Sequence, residues 1–383
     1  MLKLIKNAYV YAPEEIGIVD ILIAGDKIAW IEKEMNVLVP EIEVYDAKGL
    51  IAIPGLIDPH VHITGGGGEG GFSTRTPELK ISDCVKNGVT TVIGCLGTDG
   101  ITRSLENLYA KAKALEIEGL TSYIYTGSYR VPPVTFTGSI QKDLVLIDKV
   151  IGTGEIAISD HRSSQPTFEE ILRIVSDTRV GGMISGKPGI VNFHIGDGER
   201  GIEWLFEIVQ NTEIPVKHLY PTHMSRNKKL FEHGLEFTKV GGYIDLTALQ
   251  PTEDINDFDF STIDAIMLAY DNKLLDKITI SSDGQGSLPK FDKDRNFVGL
   301  DVGSVDALLY TIKSIVKRGV KFEDAIKLST TNPAKVLDLK TKGKISNGFD
   351  ADIVFLKDWK VISVLSRGEF LMRHGGIKKF NFE

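Results

Sequence analysis

The chain has 383 residues, of which 42% are hydrophobic and 25% are charged, with 52 acidic against 44 basic side chains. This balance excludes wholesale disorder and fibrous or collagen-like structure, and it predicts a large buried core in one large domain or in two to three ordinary ones. The net charge of −8 argues against nucleic acid as a main partner, because such a surface repels phosphate backbones.

The N-terminal segment and the cysteines predict where the protein works. The first residues contain no long apolar stretch and no small-residue cleavage site, so we expect no signal peptide. No uncharged run approaches the ~18 residues needed to cross a bilayer. Cys84 and Cys95 are too few for a disulfide scaffold and lie in apolar stretches, so we expect buried, reduced thiols. The sequence therefore predicts a cytoplasmic protein that binds neither nucleic acid nor membranes.

Both ends of the chain have the pattern of β-structure. Residues 1–50 contain short runs of branched and aromatic residues near alternation, broken at Gly25-Asp26, and the last forty residues look alike. We therefore predict a small β-sandwich domain built from residues 1–54 and 343–383, and a separate domain over residues 55–342.

The middle of the chain alternates apolar strand candidates with amphipathic helical patterns such as ITRSLENLYAKAKALEIEG and PTFEEILRIVSD. This alternation predicts an α/β fold, a parallel sheet covered by helices. Eight such units favour a (β/α)8 TIM-like barrel over an open doubly wound sheet, which would show a glycine-rich phosphate turn after its first strand. The predicted strands are residues 56–62, 88–95, 121–129, 155–161, 189–195, 216–223, 242–249 and 277–283.

Polar residues gather at the ends of these predicted strands. His60 and His62 lie two residues apart in one strand, so both imidazoles can face one metal ion. His194, His223 and Asp283 end three further strands, and parallel strand ends converge on one mouth of a barrel. Four histidines and an aspartate are a nitrogen and oxygen donor set that suits zinc. The alternative is that these histidines are unrelated core or surface residues. In that case four of the eight histidines in the chain would lie at strand ends by chance.

Charged residues near these strand ends indicate a substrate that carries charges of both signs. Glu69 lies in a GGGGEGG loop whose glycines, Gly67 among them, let backbone amides approach a ligand, and its carboxylate can pair with an ammonium group. Arg162 and Arg226 follow two of the strands and can bind carboxylates in a bidentate manner. A solvated glutamate and salt bridges at the rim are the alternatives. Thr98 and Ser287 could donate hydroxyl hydrogen bonds to the substrate. The alternative is that they are ordinary loop or strand-end residues.

Five motifs resemble the amidohydrolase superfamily and, within it, the isoaspartyl (β-aspartyl) dipeptidases: PGLIDPHVHITGGGGEGG, ISDHRS, NFHIGDG, PTHMSRN and SSDGQGSLP. The resemblance extends over essentially the whole chain. PGLID followed by HxH is found throughout the superfamily, whereas the GGGGE loop, SDHRS and SDGQGS are narrower signatures. The resemblance implies a large homo-oligomer, an octamer.

The resemblance also implies how a β-linked aspartyl dipeptide would bind. Its α-amino group would lie on Glu69, and its aspartyl α-carboxylate on Thr98 and Ser287. The carboxylate of the leaving residue would lie between Arg162 and Arg226.

The same resemblance implies a mechanism with two zinc ions per subunit. The ions would lower the pKa of a bridging water towards ~7, so that hydroxide attacks the side-chain amide. Tyr129 would match the family's carbonyl-polarising tyrosine, although Tyr123 and Tyr125 share its strand parity. Asp283 would be a metal ligand and also the general base and then acid. Asp160 is expected to be structural.

One position departs from the family pattern. Isoaspartyl dipeptidases usually place a carboxylated lysine seven residues before the arginine of ISDHR, and here that residue is Glu155, while the nearest lysine, Lys149, lies in a preceding helical stretch. A lysine carbamate and a glutamate both present a singly negative group with two oxygens, so we predict that Glu155 bridges the two ions. The alternative is a rim carboxylate beside a single metal. The glutamate side chain is shorter than a carboxylated lysine, so bridging by Glu155 requires a backbone displacement, which Gly152 and Gly154 would permit.

The prediction is therefore a binuclear zinc dipeptidase for β-aspartyl dipeptides, and two other functions remain open. Cyclic-amide hydrolases and N-acyl-amino-acid deacylases share the superfamily, but a cyclic imide needs no partner for an ammonium group. A metal-free scaffold protein is disfavoured because all the histidines and the aspartate are present. The predicted metal ligands are His60, His62, Glu155, His194, His223 and Asp283.

Overall fold

The computed structural model describes residues 2–37, 39–253, 255, 259–291, 297–381 and 383. Strands and helices are numbered in chain order. The strands are β1 (Leu2–Tyr11), β2 (Glu15–Ala24), β3 (Lys27–Glu32), β4 (Glu43–Asp46), β5 (Ile51–Pro54), β6 (Leu56–Val61), β7 (Val89–Gly94), β8 (Thr121–Thr126), β9 (Val150–Ile158), β10 (Ile190–Ile195), β11 (Leu219–Thr222), β12 (Ile244–Thr247), β13 (Ile278–Ser281), β14 (Ser287–Phe291), β15 (Phe297–Val302), β16 (Ile353–Lys357), β17 (Lys360–Ser366), β18 (Glu369–Arg373) and β19 (Gly376–Ile377).

The α-helices are α1 (Ile81–Lys86), α2 (Leu105–Glu118), α3 (Ile140–Leu146), α4 (Phe168–Ser185), α5 (Glu203–Asn211), α6 (Lys228–Lys239), α7 (Thr262–Asp271), α8 (Ala307–Lys317), α9 (Phe322–Lys327) and α10 (Thr331–Val336). Capping boxes start α4 at Thr167 and α7 at Ser261, where the cap hydroxyl and the third-residue carboxylate satisfy backbone groups reciprocally. None of the described helices is long and apolar enough to cross a membrane.

Strands from both ends of the chain share one sheet. Its nine strands run in the order β19-β18-β17-β16-β5-β1-β2-β3, and β4 pairs with β1 in parallel. The buried face includes Ile21, Ile23, Tyr45 and Phe355, which belong to one hydrophobic cluster. The two-layer sandwich and the domain boundaries at residues 54 and 343 stay predictions.

The middle of the chain forms a curled parallel sheet covered by helices. β6 to β11 pair in parallel in chain order, and β12 pairs in parallel with β13. The pieces are joined by backbone hydrogen bonds: Met224 N donates to Asp245 O in β12, and His62 N donates to Gly284 O just after β13. The parallel α/β arrangement is therefore confirmed, whereas closure into a (β/α)8 barrel stays a prediction.

Seven of the eight predicted strands contain the observed ones, but the fourth prediction, residues 155–161, was shifted. β9 begins at Val150 and ends at Ile158, so Glu155 lies inside a strand and not at its edge. The glycines of VIGTGE belong to the strand because β10 approaches closely: a Cβ on Gly152 would lie 2.3 Å from Ile190 O, and one on Gly154 would lie 2.9 Å from the Asn192 Cβ.

The third predicted strand was too long at its carboxyl end. β8 ends at Thr126, so Tyr129 lies in the loop that follows it. Thr98 likewise lies in a loop, four residues beyond the end of β7 at Gly94.

Candidate metal centre and substrate cleft

Glu155 lies at the centre of a buried group of four histidines, and its side chain is 0% exposed. Its Oε1 lies 2.7 Å from Nδ1 of His194 and 3.1 Å from Nε2 of His223. Its Oε2 lies 3.4 Å from Nε2 of His60 and 3.9 Å from Nε2 of His62. Each carboxylate oxygen therefore faces a different pair of imidazole nitrogens, an arrangement that can bridge two metal ions.

Asp283 completes this histidine–carboxylate cluster on the side of His60 and His62. Its Oδ1 lies 3.1 Å from Nε2 of His62 and 3.7 Å from Nε2 of His60. Both Asp283 Oδ1 and Glu155 Oε2 are buried and make no hydrogen bond. Because a buried acceptor without a partner is costly, these oxygens and the surrounding imidazoles fit a bound cation.

Two cluster residues occupy a backbone conformation that non-glycine residues rarely adopt. His223 and Asp283 follow the ends of β11 and β13, and their φ angles are 63° and 51°. Such left-handed positions carry strain and concentrate at functional sites, where they aim a side chain that a regular strand could not.

The second nitrogen of three histidines in the cluster is held by a polar partner. Such a partner fixes the orientation of the ring and supports the nitrogen that faces a metal. Two of these partners were not predicted from the sequence, although Asn192 lies two residues before His194 and so on the same face of its strand. The pairs are His60 Nδ1 with Asn192 Oδ1 at 3.0 Å, His223 Nδ1 with Thr247 Oγ1 at 2.7 Å, and His194 Nε2 with Asp160 Oδ2 at 2.8 Å.

Both cysteines are buried and free, as predicted, but their surroundings differ. Cys84 lies in the large hydrophobic core. Cys95 has Ile93 and Tyr125 in its apolar cluster, yet its Sγ lies 3.5 Å from Nε2 of His60 and 3.8 Å from Nδ1 of His62. The expectation of wholly apolar surroundings was therefore wrong for Cys95, because apolar neighbours in sequence do not show what the adjacent strand presents.

The environment of the cluster sets the protonation of its members. Burial alone would raise the pKa of Glu155, but positive charge on the neighbouring histidines and their hydrogen bonds hold it well below its usual range. Burial also opposes ionisation of Asp283, yet the contact with His62 lowers its pKa to about 2. Burial lowers the pKa of His223 to about 3, so its imidazole is neutral, the form that binds metals.

A cleft shares His62 and Asp283 with the cluster and brings together most of the predicted substrate residues. Glu69 Oε1 accepts a hydrogen bond of 3.0 Å from the Thr98 hydroxyl and lies 3.6 Å from Nη1 of Arg162. The cleft therefore presents a carboxylate and a guanidinium group side by side. Its further lining includes Gly67, Tyr129 and Ser287.

The loop that carries Glu69 depends on glycine at Gly67. This residue has a φ of 71°, and a Cβ there would lie 2.4 Å from Thr74 O. Only glycine fits both the left-handed backbone and the close approach, so the loop is held in the shape that directs Glu69 into the cleft.

Arg162 is held in place by a bidentate contact with Asp160. Its Nε and Nη2 donate to the two oxygens of Asp160 at 3.0 Å and 2.8 Å. Because Asp160 also contacts His194, it connects the arginine of the cleft to a histidine of the cluster. The sequence predicted a structural role in which this aspartate orients a neighbouring group, but it did not identify Arg162 and His194 as the contacts.

Arg226 reaches the same histidine nitrogen as Arg162, whose Nη2 lies 3.1 Å from Nε2 of His194. Arg226 Nε donates to Ile195 O at 2.8 Å, and its Nη2 lies 3.3 Å from Nε2 of His194. The side chain does not line the cleft that holds Glu69 and Arg162. The two guanidinium groups therefore meet at Nε2 of His194, although only Arg162 lines the cleft.

Of the three tyrosines that the sequence left open, Tyr129 lines the cleft. Its hydroxyl lies 2.7 Å from Nδ1 of His194. Burial and the carboxylate of Glu155 raise its pKa well above the usual value, so the phenol stays protonated at neutral pH. Tyr125 instead donates to Pro59 O, and Tyr123 faces the ammonium group of Lys149.

The sequence profile of the amidohydrolase family matches residues 51–372. The chain therefore belongs to the amidohydrolase family, a class of metal-dependent hydrolases. The solved structure of a beta-aspartyl dipeptidase from the thermophilic keratin-degrading Fervidobacterium islandicum AW-1, in complex with beta-Asp-Leu, is 67% identical with a TM-score of 0.96. The alignment covers 100% of this chain and 99% of that one, which confirms the resemblance to the β-aspartyl dipeptidases.

Curated relatives outside that group match less of their own length. A dihydroorotase from Aquifex aeolicus (strain VF5) is 45% identical over 100 residues, which are 25% of this chain and 22% of that protein. An adenine deaminase from Thermosipho melanesiensis is 26% identical over 404 residues, which cover 98% of this chain and 59% of that protein. The chain thus spans less than two thirds of the length of both relatives.

Proposed function

We propose that this chain is a binuclear zinc dipeptidase that hydrolyses β-aspartyl (isoaspartyl) dipeptides. The observation that carries the proposal is the position of Glu155 between two pairs of histidines, beside a cleft that holds Glu69 and Arg162 together. The 67% identical relative was crystallised with beta-Asp-Leu, a dipeptide with one ammonium and two carboxylate groups.

The donor set supports two metal ions, one on each side of Glu155. His60, His62 and Asp283 would hold one ion, and His194 and His223 the other. Nitrogen and oxygen donors in these numbers suit zinc. When bound, the metal lowers the pKa of a coordinated water and polarises the scissile carbonyl.

The cleft supports recognition of a zwitterionic substrate. The carboxylate of Glu69 would bind the α-ammonium group, and the hydroxyls of Thr98 and Ser287 would bind the aspartyl α-carboxylate. Arg162 and Arg226, which both contact Nε2 of His194, would bind the carboxylate of the leaving residue. Glu69 and Arg162, which already lie next to each other in the cleft, would thus bind the ammonium group and a carboxylate of the substrate.

Two residues would move or hold protons during hydrolysis. Asp283 remains a carboxylate at neutral pH because its pKa is lowered to about 2, so it can accept a proton from the attacking water. It would then transfer that proton to the departing amine. Tyr129 keeps its phenolic proton and would donate a hydrogen bond to the carbonyl oxygen as negative charge develops there.

We also infer the larger architecture. Residues 55–342 would close into a (β/α)8 barrel, supported by the backbone bonds that join β6 to the end of β13, and residues 1–54 and 343–383 would form a β-sandwich. The enzyme would be a cytoplasmic homo-oligomer, an octamer, with a dipeptide and neither nucleic acid nor a membrane as its partner. Both cysteines are free, which agrees with a reducing compartment.

The test is hydrolysis of β-Asp-Leu beside α-Asp-Leu and a cyclic amide, with bound metal quantified in the same preparation. We expect hydrolysis of β-Asp-Leu alone, two metal ions per chain, and loss of activity after chelation that zinc restores. Preferred hydrolysis of the cyclic amide would instead favour a cyclic-amide hydrolase. A protein that binds no metal and cleaves none of the three would favour the scaffold.

A further inference from the structure

Cys95 is a buried thiol that the proposed mechanism does not use. It follows the end of β7 and is 0% exposed. Its Sγ lies 3.5 Å from Nε2 of His60 and 3.8 Å from Nδ1 of His62. The donor atoms of His60, His62, Cys95 and Glu155 all lie within 4.8 Å of one another. The thiol therefore touches the part of the cluster that the first metal ion would occupy.

The neighbourhood of His60 shows which of its nitrogens faces this space. The amide nitrogen of Asn192 donates to Tyr220 O at 3.3 Å, so its oxygen is the atom that faces Nδ1 of His60 at 3.0 Å. An oxygen partner requires Nδ1 to carry the proton, which leaves the Nε2 lone pair of a neutral ring unprotonated. In the neutral ring, which is the form that binds metals, this nitrogen lies 3.5 Å from Cys95 Sγ and 3.4 Å from Glu155 Oε2.

The atoms around this Nε2 are all electron-rich. Glu155 Oε2 and Asp283 Oδ1 are buried without hydrogen bonds and lie 3.4 Å and 3.7 Å from it. A neutral thiol has one weakly donating proton and cannot satisfy both oxygens as well as the ring nitrogen. A cation bound among the four groups satisfies them all.

The spacing fits a metal ion that has a sulfur ligand. Zinc–nitrogen bonds of about 2.0–2.1 Å and a zinc–sulfur bond of about 2.3 Å place adjacent nitrogen and sulfur donors about 3.5 Å apart in a tetrahedral site. The distance between His60 Nε2 and Cys95 Sγ is 3.5 Å. Two tetrahedral donors of the nitrogen and oxygen type lie about 3.3 Å apart on the same bond lengths, against 3.4 Å between His60 and Glu155.

We propose that Cys95 is a sulfur ligand of the metal ion held by His60 and His62. Binding replaces the S–H bond with a sulfur–metal bond, the proton is released to solvent, and no electron is transferred. A soft thiolate makes this position selective for zinc and other thiophilic ions over magnesium and manganese. The proposal rests on the metal centre of the proposed function and not on the substrate.

Cys84 provides a control within the same chain. It is also free and fully buried, but it lies in the large hydrophobic core. Replacing either cysteine with serine makes the same chemical change at a buried position. A general effect of thiol loss would therefore appear in both variants, whereas loss of a ligand would appear in Cys95→Ser only.

The test uses the full chain, freed of metal and titrated with Co²⁺. We expect the wild type and Cys84→Ser to show the near-ultraviolet charge-transfer band of a thiolate–cobalt bond, and Cys95→Ser to lack it while keeping the visible bands of histidine-bound cobalt. Competition with a chelator should show that zinc affinity falls at least about tenfold in Cys95→Ser and not in Cys84→Ser. Cobalt bound to the wild type without that band, or the same band in Cys95→Ser, would overturn the proposal.

A second measurement needs no variant and covers the case in which Cys95→Ser does not fold. Zinc-edge X-ray absorption of the wild type should show a sulfur scatterer at about 2.3 Å from zinc. Zinc surrounded only by nitrogen and oxygen would refute the sulfur ligand and leave the metal centre intact. Absence of any bound zinc or cobalt would refute the metal centre itself, so the two failures are distinguishable.

Discussion

Two buried groups of charged residues in this chain differ in whether their hydrogen bonding is complete. The Lys342 cluster consists of Lys342, Asp350, Asp352 and Thr121, and the ammonium group donates to Asp352 Oδ2 at 2.6 Å, to Thr121 Oγ1 at 2.6 Å and lies 2.9 Å from Asp350 Oδ2. All three ammonium protons have an acceptor. The histidine–carboxylate cluster instead keeps two buried oxygens without a hydrogen bond.

This difference shows how a structural ion cluster can be told from a ligand site. Burying charge is tolerable when the partners within the protein are complete, and the Lys342 cluster meets that condition. The histidine–carboxylate cluster meets it only when a cation is added. We therefore expect mutations in the Lys342 cluster to change stability and mutations in the histidine–carboxylate cluster to change metal binding.

The largest effect is expected for Glu155→Ala, which removes the two carboxylate oxygens that we propose bridge the metal ions. The variant should lose bound metal and about a thousandfold or more of its activity on β-Asp-Leu, because the metal stabilises charge in the transition state. Metal analysis and kcat/KM measure this. Asp143→Ala is the control: that carboxylate is also buried but is fully hydrogen-bonded, for example to the Thr126 hydroxyl and to Thr137, so its loss should leave metal content unchanged. Full activity in Glu155→Ala would contradict the bridging role.

Wild-type activity should also be independent of bicarbonate. A glutamate needs no carbon dioxide to carry its charge, unlike a carboxylated lysine. Rates on β-Asp-Leu in bicarbonate-free buffer and with added bicarbonate should therefore agree. A rate that rises with bicarbonate would show that a lysine carbamate contributes to the site.

Lys342→Met should lower the free energy of unfolding by about 3–5 kcal/mol, because it leaves the buried Asp352 without its cation and leaves Asp350 with Lys27 alone. Urea unfolding measures the loss, and metal content per folded chain should not change. Lys340→Met is the matched control, since Lys340 is 77% exposed and its ion pair with Asp338 at 3.8 Å is worth under about 1 kcal/mol. Equal stability of Lys342→Met and the wild type would remove the contrast between the two clusters.

Glu69→Gln should reduce kcat/KM on β-Asp-Leu by about tenfold to a hundredfold while metal content stays the same. Glu69 is expected to bind the ammonium group and holds no metal, and its side chain is 27% exposed, so solvent screens part of the loss. Glu78→Gln, a half-exposed glutamate paired with Lys111, serves as the control. Unchanged kinetics in Glu69→Gln would remove the ammonium site from the cleft.

Arg226→Lys should weaken binding of the leaving residue's carboxylate by about tenfold, because lysine keeps the charge but loses the planar fork. KM is compared between free-acid and amidated dipeptides, and the difference between the two should become smaller in the variant. Arg318→Lys, at an exposed ion pair with Asp264, should behave as the wild type. Equal rates of the wild-type enzyme on both kinds of dipeptide would exclude a carboxylate site at the arginines.

The smallest effect concerns pH and the Lys342 cluster. Burial would raise the pKa of Asp350, but Lys342 lowers it. Burial would lower the pKa of Lys342, but Asp352 and Asp350 raise it. The stabilisation from Asp350 is thus present above its unfolded pKa of about 3.9 and lost as pH falls below it. That from Lys342 is present below about 10.4 and lost as pH rises through its raised folded pKa. The stability gap between the wild type and Lys342→Met should therefore be constant near neutrality and shrink towards pH 3; a gap that grows in acid would contradict the assignment.

The sequence predicted what depends on neighbours along one strand. His60 lies in β6 and His62 directly follows that strand, and the alternation of side chains along an extended chain is enough to place them together. Glu155 could be predicted only through a motif offset, because the two glycines just before it hid the first half of the strand that contains it. Strand alternation gives no information about what adjacent strands present to each other.

Contacts between strands were therefore the part that the sequence could not supply. β6 and β7 pair with register shifts between Leu56 and Ile57 and between Asp58 and Val61, so the position of Cys95 against His60 does not follow from residue counting. The same holds for Asn192 and Thr247, whose contacts with histidines join different strands.

Anomalous diffraction at the zinc edge, from crystals of the zinc-loaded protein, tests most directly whether Glu155 bridges two metal ions. If Glu155 bridges two ions, two anomalous peaks are expected. One should lie within bonding distance of Oε1, on the side of His194 and His223, and the other within bonding distance of Oε2, on the side of His60 and His62. A single peak, or two peaks with the Glu155 carboxylate directed away from them, would contradict bridging by Glu155.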